Sequence, residues 1–170
     1  MKKDISIEEF KASLPFAFED MELLKKVFIH QSFLNERAGM RLHVRESNER
    51  LEFLGDAVLQ NAISHLLYIR NPGTPEGELT RLRSRLVNRT TLAKLARSIS
   101  LDEYLLLGKG EQDGGGRENK TILAGVFEAL LAAVYLEKGF TTALAYIDGL
   151  FSPLMESAHT EPGHFDYKPM

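Results

Sequence analysis

Apolar residues recur at three- and four-residue spacing along almost the whole chain, and no segment of strand length alternates between apolar and polar. The first element opens at Ser6-Ile7-Glu8-Glu9, a capping box, and stops before Pro15. Leu23, Leu24, Val27 and Phe28 place a second helix near residues 20–30. Residues 37–46 are charged and aperiodic, which predicts an exposed loop. Ser47 or Asn48 can cap a long helix running to about Arg70. Asn71-Pro72-Gly73-Thr74-Pro75 then breaks the chain, with Thr74 as cap and Pro75 at the first position of a helix that continues to about Ser98. A second capping box, Ser100-Leu101-Asp102-Glu103, opens a short helix. Five glycines between Gly108 and Gly116 predict a mobile loop. Asn119 caps the next helix, which ends at Lys138-Gly139. Thr141 or Thr142 begins a final helix that ends near Phe151-Ser152-Pro153, and the stretch from Met155 to Met170 is polar and without period. The whole is the pattern of a single all-α domain.

Composition narrows the classes. A length of 170 residues suits one ordinary domain, and the absence of cysteine excludes a disulfide framework and makes no redox role the default. No run of about 18 apolar residues exists, so no membrane span is expected. The start, Met1-Lys2-Lys3-Asp4-Ile5-Ser6, lacks the apolar stretch of a secretory signal, which makes a cytoplasmic location the default. The net charge of −3 gives no bulk support for nucleic-acid binding. Any such binding must come from a local basic surface or from bound metal.

Two helices carry residues that packing alone does not explain. At about 100° per residue, Glu49, Glu52 and Asp56 fall within an arc of about 60°. Leu51, Leu54, Val58 and Ala62 form the apolar stripe on the opposite side. Like charges at these spacings oppose one another. A solvated acidic face near a helix N-terminus accounts for Glu49, but less well for Asp56, two turns in. Phe53 lies beside the carboxylates and away from the stripe, so its ring is either exposed or covered by something outside this helix, such as a partner chain. Gly55, mid-helix, costs about 1 kcal/mol relative to Ala, a cost usually offset by close approach of another helix. The run from Ile122 to Leu136 is apolar on all sides, as in a central buried helix, and Glu128 is its only charge. A buried carboxylate must be neutral, paired or metal-bound. A salt bridge to Arg or Lys is one solution. A cluster with Glu52 and Asp56 around a cation is the sharper one, and an all-oxygen set favours Mg²⁺ or Mn²⁺ over Zn²⁺.

Between Glu76 and Ser98 six basic side chains face two acidic ones, and Arg81, Arg85 and Arg89 recur at i,i+4 as one basic ridge. A solvated helix face explains any one of them. As a set they suit phosphates across an A-form duplex, with Lys109 and Arg117 adding contacts beside the glycine-rich loop. That loop is no phosphate-binding P-loop, because Lys-Ser/Thr is missing from the required place.

The segment Asn48-Glu49-Arg50-Leu51-Glu52-Phe53-Leu54-Gly55-Asp56-Ala57-Val58-Leu59 resembles the signature of the ribonuclease III family. His30-Gln31-Ser32-Phe33-Leu34-Asn35-Glu36, Gly77-Glu78-Leu79-Thr80-Arg81-Leu82-Arg83-Ser84, and Gly115-Gly116-Arg117 leading to Ile122-Leu123-Ala124 support the likeness, which covers roughly residues 5–152. The resemblance implies an all-helical homodimer that cleaves double-stranded RNA with Mg²⁺, or Mn²⁺ in its place, leaving 5′-phosphate and 3′-hydroxyl ends, in RNA processing including that of ribosomal RNA. By position, Glu49, Glu52, Asp56 and Glu128 match the family's acidic active-site positions. Glu52, Asp56 and Glu128 would hold metal; Asp56, Glu128 and Glu49 would be catalytic, with Glu49 nearer the RNA or the neighbouring subunit. Phe53 matches an aromatic plug of the dimer interface.

Two departures qualify the likeness. Where the family usually has Asp, three residues before the second-helix Glu, this chain has Gly125. The missing carboxylate would point into the same cluster, and no neighbour obviously substitutes: Glu118 lies two turns away. Gly125 is therefore either a gap in the ligand set or a contact that permits tight packing. In addition, His164-Phe165-Asp166-Tyr167-Lys168 resembles the entry to a double-stranded RNA-binding domain, and the chain then stops at Met170. The expected organisation is an endonuclease domain over residues 1–154 and a flexible tail or linker over 155–170, without that second domain. A catalytically impaired duplex-binding dimer of the same fold is the alternative that Gly125 motivates. A helical dimerisation module would explain Phe53 but not Glu128.

Overall fold

The structure is a computed structural model that describes residues 6–36 and 47–160. The loop expected at 37–46 and residues 161–170 lie outside the described residues. Nine α-helices are described: α1 (Ile7–Ser13), α2 (Met21–Val27), α3 (Gln31–Asn35), α4 (Glu49–Arg70), α5 (Glu76–Leu86), α6 (Arg89–Ser98), α7 (Leu101–Tyr104), α8 (Lys109–Asp113) and α9 (Lys120–Thr160). The only β pairing among the described residues is an isolated parallel bridge between Ile29 and Leu106. The all-α expectation stands.

The core is assembled around α9. Its first half, from Leu123 to Val134, is buried on nearly every side, and α4 and α6 pack along it with α5 lying on α4. Buried Leu51, Val58, Leu59, Ala62, Ile63, Leu66 and Leu67 give α4 the predicted apolar stripe. Phe10, Phe28 and Tyr104 close one end, with ring centroids 5.2–5.6 Å apart. Burial of each such ring contributes about 1.5–3 kcal/mol. Polar contacts fix how the elements meet. The Glu137 carboxylate accepts from the backbone N–H groups of Glu19 (2.7 Å) and Asp20 (3.1 Å), which holds the start of α2 on α9.

Several expectations about element ends are corrected. Ser6 caps α1 as predicted, accepting from the Glu8 N–H. Asn48 stands at the N-cap of α4 without capping it: its side-chain amide donates to the Val27 carbonyl at 3.0 Å, so it ties α4 to α2. The helix predicted from Pro75 to Ser98 is two helices, because the Asn88 side chain accepts from the Thr91 N–H (3.0 Å) and so starts α6 afresh. Pro75 is itself the N-cap residue of α5, and Thr74 does not cap it. Ser100 adopts a left-handed conformation (φ 58°) and makes no capping bond, so the second capping box does not form. The glycine-rich stretch is not an unstructured loop. It holds α8 and a 3₁₀ turn at Gly116–Glu118, pinned by Ser32 Oγ and Glu36 Oε1, which accept from the N–H groups of Gly108 (2.9 Å) and Gly110 (3.0 Å). Gly139 breaks α9 as predicted, at φ 80°, but the last helix runs on through Pro153 to Thr160. Met155, placed by its sequence in the tail, is core, 2% exposed.

α4 crosses α9 at Gly55. A Cβ there would lie 1.8 Å from the Glu128 carbonyl oxygen and 2.4 Å from its carbon, so the close approach expected of a mid-helix glycine is present. Gly55→Ala is expected to lower stability by about 2 kcal/mol or more, despite the better helix propensity, because rigid backbone must move. A lower urea midpoint with an unchanged m-value would show it; an unchanged midpoint would contradict this account of the crossing.

Candidate active site

The crossing sets carboxylates from two helices around one cleft. Glu49, Glu52, Phe53 and Asp56 come from the first turns of α4, and Gly125 and Glu128 from α9. Arg89, the first residue of α6, joins them, and Val87, Leu92, Thr121 and Ala124 complete a cleft of about 610 Å³. The α4 N-terminus tolerates Glu49 and Glu52 through its macrodipole. Asp56 is exposed and accepts from Gln60 Nε2 at 3.3 Å. Glu128 is half-buried: its carbonyl touches Gly55 while its side chain lines the cleft.

Burial pushes the Glu128 carboxyl up to about 7, and the charges of Asp56 and Glu52 push the same way against the pull of Arg89. Burial likewise raises Glu52, helped by Glu49 and Asp56 and opposed by Arg89. Among the described residues neither carboxylate has an ion-pair partner within 4.0 Å. The cleft therefore concentrates negative charge that no bonded cation offsets. Its donors are all hard oxygens, which suits Mg²⁺ or Mn²⁺. Among the described residues no three His, Cys, Asp or Glu side chains are already gathered at one point as a finished metal cage.

The sequence left the space beside Gly125 without a substitute. The structure places the Glu52 carboxyl of the other helix in that space: a Cβ on Gly125 would lie 2.6 Å from its Oε2.

The basic residues divide. Arg81 and Arg85 are exposed on α5, but the break at Asn88 ends the ridge there, and exposed Arg89 lines the acidic cleft instead. Lys109 is exposed at the start of α8. Arg117 does not fit the expected RNA contact: its guanidinium donates to the carbonyls of Asp102 (2.5 Å) and Leu105 (2.8 Å) and clasps the α7 turn. Glu36 was not anticipated as a structural anchor. Its carboxyl is lowered by the backbone N–H groups of Lys109 and Gly110, and no local spacing signals a contact across 74 residues. Phe53 is 82% exposed. Next to it on α4, Leu54, Ala57, Val58 and Asn61 form an apolar groove of about 280 Å³ with Tyr135 and Phe140.

A profile of ribonuclease-III-like proteins matches residues 20–154. The chain belongs to the ribonuclease-III-like family. Ribonuclease 3 of Myxococcus xanthus is 40% identical over 95% of this chain and 61% of its own length. That of Dehalococcoides mccartyi is 44% identical over 96% of this chain and 68% of its own length. The chain thus spans about two thirds of the length of these curated relatives. The nuclease domain of ribonuclease III from Campylobacter jejuni superposes with a TM-score of 0.78 at 35% identity, over 87% of this chain and 97% of that one. Dicer from Pichia stipitis shares the fold at a TM-score of 0.66 and 28% identity, over 92% of this chain and 64% of that one. No helix among the described residues is long and apolar enough to cross a membrane.

The raised carboxyl of Glu128 has a consequence for stability. A group protonated more readily in the folded chain than in the unfolded one, at about 7 against 4.5, stabilises the fold fully below pH 4.5 and loses that effect as the pH rises through 7. The lowered carboxyls of Glu8, Glu36 and Glu137 act only below the ordinary carboxylate range, so they do not mask it. The metal-free protein is expected to melt at progressively lower temperature from about pH 5 to 8, and Glu128→Gln to flatten that decline. Parallel profiles for the two proteins would refute the electrostatic account of Glu128.

Proposed function

We propose that this chain is the nuclease domain of a divalent-metal-dependent endoribonuclease that cuts double-stranded RNA to 5′-phosphate and 3′-hydroxyl ends, in RNA processing that includes ribosomal RNA, as a cytoplasmic homodimer. The observation that carries it is Glu128: a half-buried carboxylate, without an ion-pair partner among the described residues, set by a helix crossing into one cleft with Glu52 and Asp56, in a chain of this family.

Glu52, Asp56 and Glu128 are the residues that would hold Mg²⁺ or Mn²⁺. When bound, such a dication supplies the positive charge that lets an acidic cleft accept a phosphodiester and stabilises charge developing in its hydrolysis. Without metal, burial holds the Glu128 carboxyl near 7, so a dication bound there at neutral pH would displace its proton and keep it as a carboxylate ligand. Glu49 lines the cleft with Phe53 and would act nearer the RNA or the neighbouring subunit. Arg89 lines the same cleft, and the exposed side chains of Arg81, Arg85 and Lys109 would contact the backbone of an A-form duplex.

The expected test is cleavage of long duplex RNA in Mg²⁺ or Mn²⁺, with Glu128→Gln slower by about 100-fold or more. Equal rates would remove Glu128 from the chemistry. Gly125 favours a second reading, a duplex-binding protein impaired in cleavage; duplex binding with no cleavage under any divalent ion would decide for it.

The surface of α4 supports the homodimer reading. A patch that carries both an exposed ring and an apolar groove can pair with its own copy around a two-fold axis. Phe53→Ala is expected to weaken self-association by about 30-fold, as truncation of an interface hot spot does. Solution mass at micromolar concentration should fall toward that of the monomer, and an unchanged mass would exclude Phe53 as the anchor.

A further inference from the structure

Gly125 and Gly55 face the same helix crossing, and their surroundings differ in kind. At Gly55 the three atoms nearest a built Cβ are all backbone of Glu128. At Gly125 they are all one carboxyl group: Glu52 Oε2 at 2.6 Å, Cδ at 2.8 Å and Oε1 at 3.2 Å. Gly125 does not have the positive φ that would require glycine, unlike Gly73, Gly115 and Gly139. It lies inside α9, where Ala would favour the helix more. Neither backbone conformation nor helix-to-helix packing therefore accounts for it. What the missing side chain makes room for is the end of Glu52.

We propose that Gly125 is a positioning residue: its bare Cα lets the Glu52 carboxylate reach across from α4 and lie on α9, where it serves as a metal ligand beside Glu128. This rests on the nuclease reading of the cleft and refines its donor set. Gly125 and Glu128 share a face of α9 at i,i+3, so a carboxylate lying over Gly125 stands one turn from Glu128. The acidic set is thereby drawn toward α9 without an acidic residue at 125. Any side chain at 125 must push Glu52 aside. Only the far end of a flexible side chain has to move, so the fold survives the change while the ligand is displaced.

The proposal predicts opposite signs for stability and metal binding. Gly125→Ala should melt at the same or a higher temperature without metal, because the helix gains an alanine. Its affinity for Mn²⁺, measured on the full chain by electron paramagnetic resonance of the free ion, should fall by about tenfold or more, since a displaced ligand is the only change. Gly125→Asp displaces Glu52 equally but brings its own carboxylate, and should bind Mn²⁺ at least as tightly as the unmodified protein. Glu52→Gln should then weaken Mn²⁺ binding strongly in the Gly125 background and much less in the Gly125→Asp background. If Gly125→Ala binds Mn²⁺ as tightly as the unmodified chain, the positioning role is overturned while the nuclease reading stands. If the unmodified chain binds no Mn²⁺ at all, both fall.

Discussion

The site depends on one close contact, the seating of Gly55 of α4 on the backbone carbonyl of Glu128 in α9. A side chain on either surface at that point would hold the two helices further apart. Because the contact is backbone against bare Cα, the separation and rotation of the helices are set by rigid parts rather than by adjustable rotamers. Glu128 thus has two roles in one residue. Its main chain is the floor of the crossing, and its side chain is the charge that the crossing aims into the cleft.

That arrangement concentrates like charge where water is partly excluded. Glu52 and Glu128 are each raised by burial and by neighbouring carboxylates, and Arg89 offsets only part of this. The fold carries that electrostatic cost in a frame strong enough to bear it. The fully buried run of α9 and the stripe of α4 supply the apolar contact area, while Glu137 and Asn48 hold α2 against the ends of both helices. The charge is consequently held in position instead of relaxing outward into solvent. The oxygen donors of the cleft suit a hard dication.

Among the described residues the basic side chains form no second site of comparable order. Arg117 and Arg97 spend their donors on carbonyls at the α7 turn and the 3₁₀ turn, and Arg83 donates to Ser64 Oγ. Arg81, Arg85 and Lys109 are exposed. Arg89, just after the new helix start at Asn88, lines the cleft with the carboxylates.

Much of this was legible in the sequence because it is periodic. The apolar stripe of α4, the all-round apolar α9, the shared face of Glu49, Glu52 and Asp56, and the misfit of Phe53 all follow from helical geometry and residue type alone. The family likeness of Asn48–Leu59 gave those positions roles that spacing could not. What the sequence could not decide depends on contacts between distant segments. Asn88 and Asn48 have the same capping chemistry, yet one starts a helix and the other reaches Val27 instead. The glycine-rich stretch reads as loose until Ser32 and Glu36, more than seventy residues away, accept its N–H groups. Gly55 and Gly125 are indistinguishable as letters in a helix. Only the tertiary structure separates them, because the space beside a Cα is set by whichever chain segment crosses there: a carbonyl in one case, a carboxylate in the other.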